Sequence, residues 1–150
     1  MSHFEFTGET KSTPTGVVLH RIRATKPLPR FDVRVGDVGG WIESESNLSG
    51  GAWVSGNAQV FGNAQVFGNA RVSGDAQVFG DARVFGNARV FGDAWVFGDA
   101  QLYGNAQVYG NARVFGDARV FGNARVFGDA RVYGNARVFG NARVFGDAWV

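Results

Sequence analysis

A six-residue unit repeats from Gly50 to the last residue, and it constrains the fold more than any other feature of the chain. The unit reads Gly-(Asn/Asp)-Ala-x-Val-(Phe/Tyr/Ser), for example at 80–85. A short fixed period is typical of a solenoid in which each unit packs only on its neighbours. Because glycine interrupts the pattern at every sixth residue, helix is excluded. The sequence therefore predicts one short β-strand per unit.

The side chains of each unit alternate between two faces. Residues i and i+2 of a strand point to the same face, so Ala and Val share the inside, while the variable residue and the aromatic residue share the outside. The aliphatic position extends back to Ile42 and Leu48, and small residues precede it by two at Gly40 and Ser46. We therefore expect the repeat to begin well before its regular part.

Residues eighteen apart are alike, which indicates three units in one coil. Stacked Asn amides can hydrogen-bond along the axis, whereas stacked carboxylates repel each other. We therefore predict an all-β, single-stranded triangular solenoid of about six 18-residue coils. The Asn/Asp position forms one column of Asn and two columns that hold Asp: Asn69, Asn87, Asn105, Asn123 and Asn141; Asp75, Asp93, Asp129 and Asp147; Asp81, Asp99 and Asp117.

The spacing of an aliphatic residue, Asn or Asp, and a small residue resembles the hexapeptide-repeat, left-handed parallel β-helix family. Over 37–150 the chain is similar to uncharacterised acetyltransferase-like hexapeptide proteins of enterobacteria and their phages. The stretches 16–24 and 36–43 resemble the leader of such phage and prophage proteins. The usual family places Gly directly after the aliphatic residue, whereas here Phe stands there and Gly follows. The resemblance implies a left-handed coil, although ordinary β crossovers are right-handed.

Residues 1–36 lack the period, and we interpret them as an N-terminal capping β segment in front of a β-helix over 37–150. The terminal coil of a solenoid has unpaired strand edges and an open apolar core, which an atypical segment must cover. Residues 4–6, 16–24 and 31–35 are predicted to be short strands that lie over the first coil.

Positive charge is concentrated in the capping segment. Residues 1–36 carry six Lys or Arg against three acids, whereas the repeat carries nine Arg against ten acids. A nucleic-acid interface at 20–34 is one interpretation, because clustered cations gain from counterion release on phosphate. We prefer a solvated β-hairpin, since Val18, Leu19 and Ile22 interleave with the charges like core residues.

The composition narrows the class of protein further. The chain has no cysteine, so neither a disulfide framework nor a thiolate metal site is expected. It also has no apolar run of transmembrane length and no signal-peptide pattern at its start. We expect a cytoplasmic protein, found in the host cytoplasm or the virion if it is phage-encoded.

The outward aromatic residues are predicted to form three ladders along the column. Exposed apolar surface of this extent usually marks an interface, so we expect a homo-oligomer that packs laterally through the ladders or end to end at an open C-terminal coil, where Trp149 and Val150 lie. Alternatively, each ring packs on the ring above it, with Arg stacking across. The ladder residues are Phe61, Phe67, Phe79, Phe85, Phe91, Phe97, Tyr103, Tyr109, Phe115, Phe121, Phe127, Tyr133, Phe139 and Phe145.

Groups suited to catalysis are scarce. The resemblance implies acyltransferases with a His base, or carbonic anhydrases with three His on zinc, but the histidines are His3 and His20, both in the capping segment. General base catalysis needs a titratable group held in a pocket. The Asp columns suit Ca²⁺, yet we prefer ion pairs with Arg83, Arg119 and Arg131, which each follow an Asp by two residues. No catalytic, cofactor-binding or metal residue is predicted.

These observations favour a non-catalytic structural or protein-interaction solenoid that is phage- or prophage-related and self-associating. The alternatives are an acyltransferase-like enzyme of the hexapeptide family and a host-factor or nucleic-acid-binding protein. The near-neutral charge of the repeat argues against nucleic acid. A host protein is a further candidate partner, and no membrane partner is expected.

Overall fold

The computed structural model describes residues 2–150, and it is built of β-strands joined by tight corners. Its helical structure consists of 3-10 turns of three residues each. Within the described residues, no helix has the length and apolar character needed to cross a membrane.

The chain begins with structure that differs from the repeat. An antiparallel hairpin of β1 (Phe4–Ser12) and β2 (Val18–Ala24) is followed by a 3-10 helix at Pro29–Phe31 and by β3 (Val38–Ile42). A second 3-10 helix lies at Glu45–Asn47. From there on, each complete repeat unit forms one strand of two residues.

The strands of the repeat are β4 (Trp53–Val54), β5 (Gln59–Val60), β6 (Gln65–Val66), β7 (Arg71–Val72), β8 (Gln77–Val78), β9 (Arg83–Val84), β10 (Arg89–Val90), β11 (Trp95–Val96), β12 (Gln101–Leu102), β13 (Gln107–Val108), β14 (Arg113–Val114), β15 (Arg119–Val120), β16 (Arg125–Val126), β17 (Arg131–Val132), β18 (Arg137–Val138) and β19 (Arg143–Val144). In the last unit, Trp149 forms a single parallel bridge to Arg131.

Strands eighteen residues apart pair in parallel and in register, as Arg89 does with Gln107 and Val90 with Val108. The result is three sheets, which we call sides 1, 2 and 3. Side 1 has the order β1-β2-β3-β5-β8-β11-β14-β17, side 2 is β4-β7-β10-β13-β16-β19, and side 3 is β6-β9-β12-β15-β18. The predicted triangular solenoid of about six coils is confirmed, while its handedness stays a prediction.

The core is the narrow space between the three sides. From Ala52 to Val132, every inward Ala, Val and Leu is buried. Small residues are needed because the sides approach closely: a Cβ on Gly40 of side 1 would lie 2.8 Å from Cγ1 of Val54 on side 2. The predicted division into an apolar inside and a polar or aromatic outside is confirmed.

The corners need glycine for two reasons, except that the corners of the last coil, at Gly134, Gly140 and Gly146, need it for the first reason alone. Gly98 has φ +68°, a conformation that side chains with a Cβ rarely adopt. A Cβ there would also lie 2.9 Å from the amide nitrogen of Gly116 in the next coil. The hydrogen-bond ladder runs through the corner, since the N–H of Asp99 donates to the carbonyl of Gly116 at 2.8 Å. Coils are therefore as close at the corners as along the strands.

The hairpin continues side 1 beyond its first coil, because β2 pairs with β3 in antiparallel fashion. Leu19 and Ile22 are fully buried as expected, but Val18 is 47% exposed. Val18 pairs with Ser12 of β1, and it lies past the last pair that joins β2 to β3, His20 with Ile42. Val18 therefore has no neighbour in β3, which leaves its side chain exposed.

The predicted strand at 31–35 is wrong. Pro29 opens a 3-10 helix, Asp32 follows with φ 56°, and Leu28 bridges back to Val33. This turn places Phe31 and Val33 in the core, where both are buried. A compact turn, and not an extended strand, therefore supplies these buried side chains, and the Phe31 ring also contacts the guanidinium of Arg71 on side 2.

Ser46 also departs from the expected pattern, because it is exposed and does not point inward. The 3-10 helix at 45–47 buries Asn47 in this region. The Asn47 side chain accepts hydrogen bonds from the N–H groups of Glu43 and Ser44 and donates to the carbonyls of Gly62 and Ala64. Leu48 keeps its aliphatic position and pairs with Val66.

Candidate interaction surface

The outer surface of the solenoid is organised in columns. On each side the outward residues of one unit are, in chain order, the Asn or Asp, the variable residue and the aromatic residue. Parallel pairing in register stacks each of these on its counterpart eighteen residues later. Each side therefore displays three parallel columns of side chains.

The aromatic columns are continuous ring stacks on sides 1 and 3, and on side 2 from Phe91 onward. On side 1, the Phe79 and Phe97 ring centroids lie 4.9 Å apart with the rings parallel, and Phe97 repeats this with Phe115. The interpretation that rings pack on one another is thus confirmed. The columns are Phe61, Phe79, Phe97, Phe115 and Tyr133 on side 1; Ser55, Ser73, Phe91, Tyr109, Phe127 and Phe145 on side 2; and Phe67, Phe85, Tyr103, Phe121 and Phe139 on side 3.

Stacking reduces the exposure of these rings. From Phe61 to Phe127 the ladder residues are half-buried, because neighbouring rings cover both faces and leave the edges outward. Exposure is largest in the last coil, where Phe139 and Phe145 are 57% and 58% exposed and Trp149 and Val150 are 64% and 44% exposed. Contact between copies through the ladders or the last coil stays a prediction.

The Asn column of side 2 forms a chain of side-chain hydrogen bonds. Asn87 donates to Asn105, Asn105 to Asn123 and Asn123 to Asn141, at 3.1–3.3 Å between Nδ2 and Oδ1. This confirms the predicted amide ladder. Where an Asn lies above an Asp it donates to the carboxylate instead, as Asn111 does to Asp129 on side 1.

Side 3 stacks three carboxylates without an amide between them. Asn63 donates to Asp81 at the top of this stack, but Asp99 lies between Asp81 and Asp117. Loss of surrounding water within the stack, together with the like charges of Asp117 and Asp81, raises the pKa of the Asp99 carboxyl. Among residues 2–150, no three His, Cys, Asp or Glu side chains are arranged to hold a metal ion.

The predicted ion pairs of the repeat are wrong. In the described chain, the pairs within 4.0 Å are Arg21 with Glu9 and Arg23 with Glu5, all in the capping segment. Several repeat arginines lie over aromatic rings instead: Arg131 lies 5.2 Å from the ring centroid of Trp149. An Asp and the Arg two residues later stand in adjacent columns, roughly 7 Å apart along the strand. The basic cluster of the capping segment is therefore partly paired, and the repeat is not.

Charge is sorted by side. Side 2 carries Arg71, Arg89, Arg125 and Arg143 and no acid in its repeat columns, a net charge of +4. Side 1 carries four Asp against two Arg, and side 3 carries three Asp against three Arg. The repeat is near neutral only in total. This separation of charge can be read from the sequence only when residues eighteen apart are grouped into one side.

A groove of about 530 Å³ lies between the hairpin tip and side 1. The tip residues Thr13, Pro14 and Thr15 face the side chains of Phe79 and Trp95 across it. The groove is lined by the aromatic column of side 1 (Phe61, Phe79) and by its middle column (Gln59, Gln77, Trp95), and by no residue of its Asp column.

The two histidines are held within the capping region. His3 is buried, its Nε2 donates to the carbonyl of Ala52 at 2.6 Å, and it lines a cavity of about 520 Å³ with Glu45 and Ser49. His20 stacks on Phe6 with ring centroids 4.4 Å apart. Both rings have structural contacts that account for their positions.

The repeat matches a model of a known family. The family is described as YdcK beta solenoid repeat, and the matches lie at 58–74, 64–80, 82–98, 106–120, 118–134, 130–141 and 136–150, together more than half of the chain. No curated protein matches the chain. The likeness to acetyltransferase-like and phage hexapeptide proteins stays a prediction. The matched segments fall within the column of two-residue strands, and the chain therefore belongs to the YdcK beta solenoid repeat family.

Proposed function

We propose that this protein is a non-catalytic interaction solenoid whose sides bind other protein surfaces, a second copy of the chain first. The observation that carries the proposal is the registered display of side chains: each side presents its three outward columns at the same positions in every coil. Such a surface suits a partner with the same spacing, and another solenoid has it.

The ring edges and the exposed polar columns supply the contact. Ring faces are occupied by stacking, so a partner meets aromatic edges, guanidinium groups and amides. Interfaces are enriched in aromatic residues and Arg. In the capping segment, Arg21 and Arg23 already pair with Glu9 and Glu5, which favours a protein partner over nucleic acid.

Sedimentation velocity at micromolar concentration tests self-association. We expect a mass above one chain, and a return toward one chain when the contacting ladder is weakened. Three variants carry Phe→Ser at two positions on one side each: Phe79 and Phe97, Phe91 and Phe127, or Phe85 and Phe121. Ser is compatible with the coil, because Ser55 and Ser73 occupy the same position on side 2.

The three variants are matched controls for one another. Loss of association in one or two of them supports lateral contact through those sides. Association lost only in Trp149→Ser would place the contact at the last coil. A wild-type mass of one chain would contradict the proposal.

A further inference from the structure

We propose that side 2 of one molecule binds side 1 of a second copy, with the arginine column of side 2 opposite the aspartate column of side 1. The inference rests on the proposed self-association and names the surfaces that carry it. Because two different sides meet, the contact is heterologous, and each molecule has one surface of each kind.

The two columns change from charged to neutral at the same coils. Gln107 interrupts the arginines of side 2, and Asn111 interrupts the aspartates of side 1 in the same coil. Both orders read the same in either direction, so they match whether the two axes run parallel or antiparallel. The columns are Arg71, Arg89, Gln107, Arg125 and Arg143 on side 2, and Asp75, Asp93, Asn111, Asp129 and Asp147 on side 1.

These charges are not paired within the chain. Arg125 and Asp129 lie on either side of one corner, yet no ion pair within 4.0 Å joins a repeat Arg to any acid in residues 2–150. Both side chains are exposed, as are Arg89 and Asp93. Arg71 differs, because its guanidinium lies over the Phe31 ring and its Nε is buried without a hydrogen-bond partner. The freely exposed arginines are therefore those below the first coils.

Each column repels itself. Like charges stacked at the strand spacing of roughly 4.8 Å are unfavourable, as for Asp75 above Asp93 and Arg125 above Arg143. Covering one column with the other replaces this repulsion by attraction at each charged coil. Single exposed ion pairs contribute little, so the contact depends on several acting in register, and it weakens with salt.

The hairpin tip leaves the Asp column of side 1 uncovered for this contact. The Arg column is the middle column of side 2, and the Asp column is the first column of side 1. When these two columns face each other, the two sides are offset by one column, roughly 7 Å. The partner's receding corner, and not its flat side, then faces the aromatic column of side 1. The tip at 13–15 borders this column and the upper part of the middle column, at Gln59, Gln77 and Trp95, but no residue of the Asp column.

Charge reversal and mixing test the pairing. One variant carries Arg89→Glu and Arg125→Glu, and the other carries Asp93→Lys and Asp129→Lys. Each reversed residue stands above or below an opposite charge in its own column, so the fold is preserved, which circular dichroism checks. Each variant alone presents like charges across the contact, and we expect its dissociation constant to rise about tenfold or more.

An equimolar mixture of the two variants restores attraction, because the glutamates of one then face the lysines of the other. We expect sedimentation to show wild-type association in the mixture. Arg83→Glu with Arg119→Glu makes the same charge change on side 3, and it should leave association unchanged.

The outcomes separate this inference from the proposed function. A wild-type protein that associates while the mixture fails to recover overturns the pairing of sides 1 and 2 but leaves self-association standing. Equal loss in the side 3 control also overturns the pairing, and a wild-type mass of one chain overturns both proposals.

Discussion

The capping segment and the repeat satisfy the same backbone requirements in different ways. In the capping segment and the irregular first coil, single side chains satisfy the backbone: His3 donates to one carbonyl and Asn47 bonds to four backbone groups. In the repeat, the backbone of each coil bonds to the next, and the side chains repeat. A residue at the start of the column therefore has a role of its own, whereas in the repeat close contacts recur from corner to corner as far as Gly128.

Corner glycines should give the largest difference between the two regions. Gly98→Ala is expected to destabilise the protein by about 4 kcal/mol, because left-handed strain adds to overpacking against Gly116. Gly16→Ala in the cap has the strain alone, since a Cβ there meets nothing within 4 Å, and should cost about 1–2 kcal/mol. Thermal and denaturant unfolding followed by circular dichroism measures both, and equal losses would show that the corners are not crowded.

Two asparagines sharpen the comparison. Asn47→Ala leaves buried backbone groups unsatisfied and should cost about 2–3 kcal/mol. Asn105→Ala removes one exposed member of the side 2 amide chain and should cost about 0.5 kcal/mol. Unfolding in urea gives both values. A larger loss at Asn105 would mean that the amide chain acts cooperatively along the column.

The aromatic ladder of side 2 begins one coil below Ser73. Ser73→Phe places a ring above Phe91 and should stabilise the protein by about 1 kcal/mol, the contribution of one stacked pair. Phe97→Ser on side 1 breaks two such contacts and should destabilise it by about twice that amount. Melting temperatures decide the matter, and a destabilising Ser73→Phe would show that the turn at 29–31 needs this space.

The smallest effect should come from the carboxylate stack. The pKa of Asp99 is raised in the folded protein, so its contribution favours the fold at low pH and is lost as pH rises through that pKa. Asp99→Asn should therefore raise the melting temperature at pH 7 and leave it unchanged in acid. Asp75→Asn, with a single carboxylate neighbour, should raise it less. A gain that does not depend on pH would rule out repulsion as the cause.

The repeat was predictable because its period decides the structure locally. Positions such as Ala82 and Val84 have the same inward role in every unit, and glycine marks every corner. The cap was predictable only in part, because each of its residues has one context. The sequence predicts a strand where the turn after Pro29 lies, and it gives no sign of the role of Asn47 in the first coil, since a lone asparagine carries no periodic signal.

Ion pairing failed for a different reason. Spacing by two residues places Asp129 and Arg131 on one face, but it does not tell whether the guanidinium turns to the carboxylate or to the Trp149 ring. The sorting of charge among the sides needed the eighteen-residue coil to be established first. The net charge of each side then follows directly from the sequence.

The interior and the surface of this column follow two different sequence periods. The buried Ala and Val positions repeat every six residues, whereas membership of a side repeats every eighteen. Loss of a single unit, for instance 98–103, would leave the core pattern and the corner glycines intact. Every later residue would nevertheless turn to the neighbouring side, moving Arg125 to side 3 and Asp129 to side 2. Insertions or deletions that keep each charged and aromatic residue on its own side must therefore come in whole coils of eighteen residues. Those of six or twelve residues keep the solenoid but rearrange the charges on its sides.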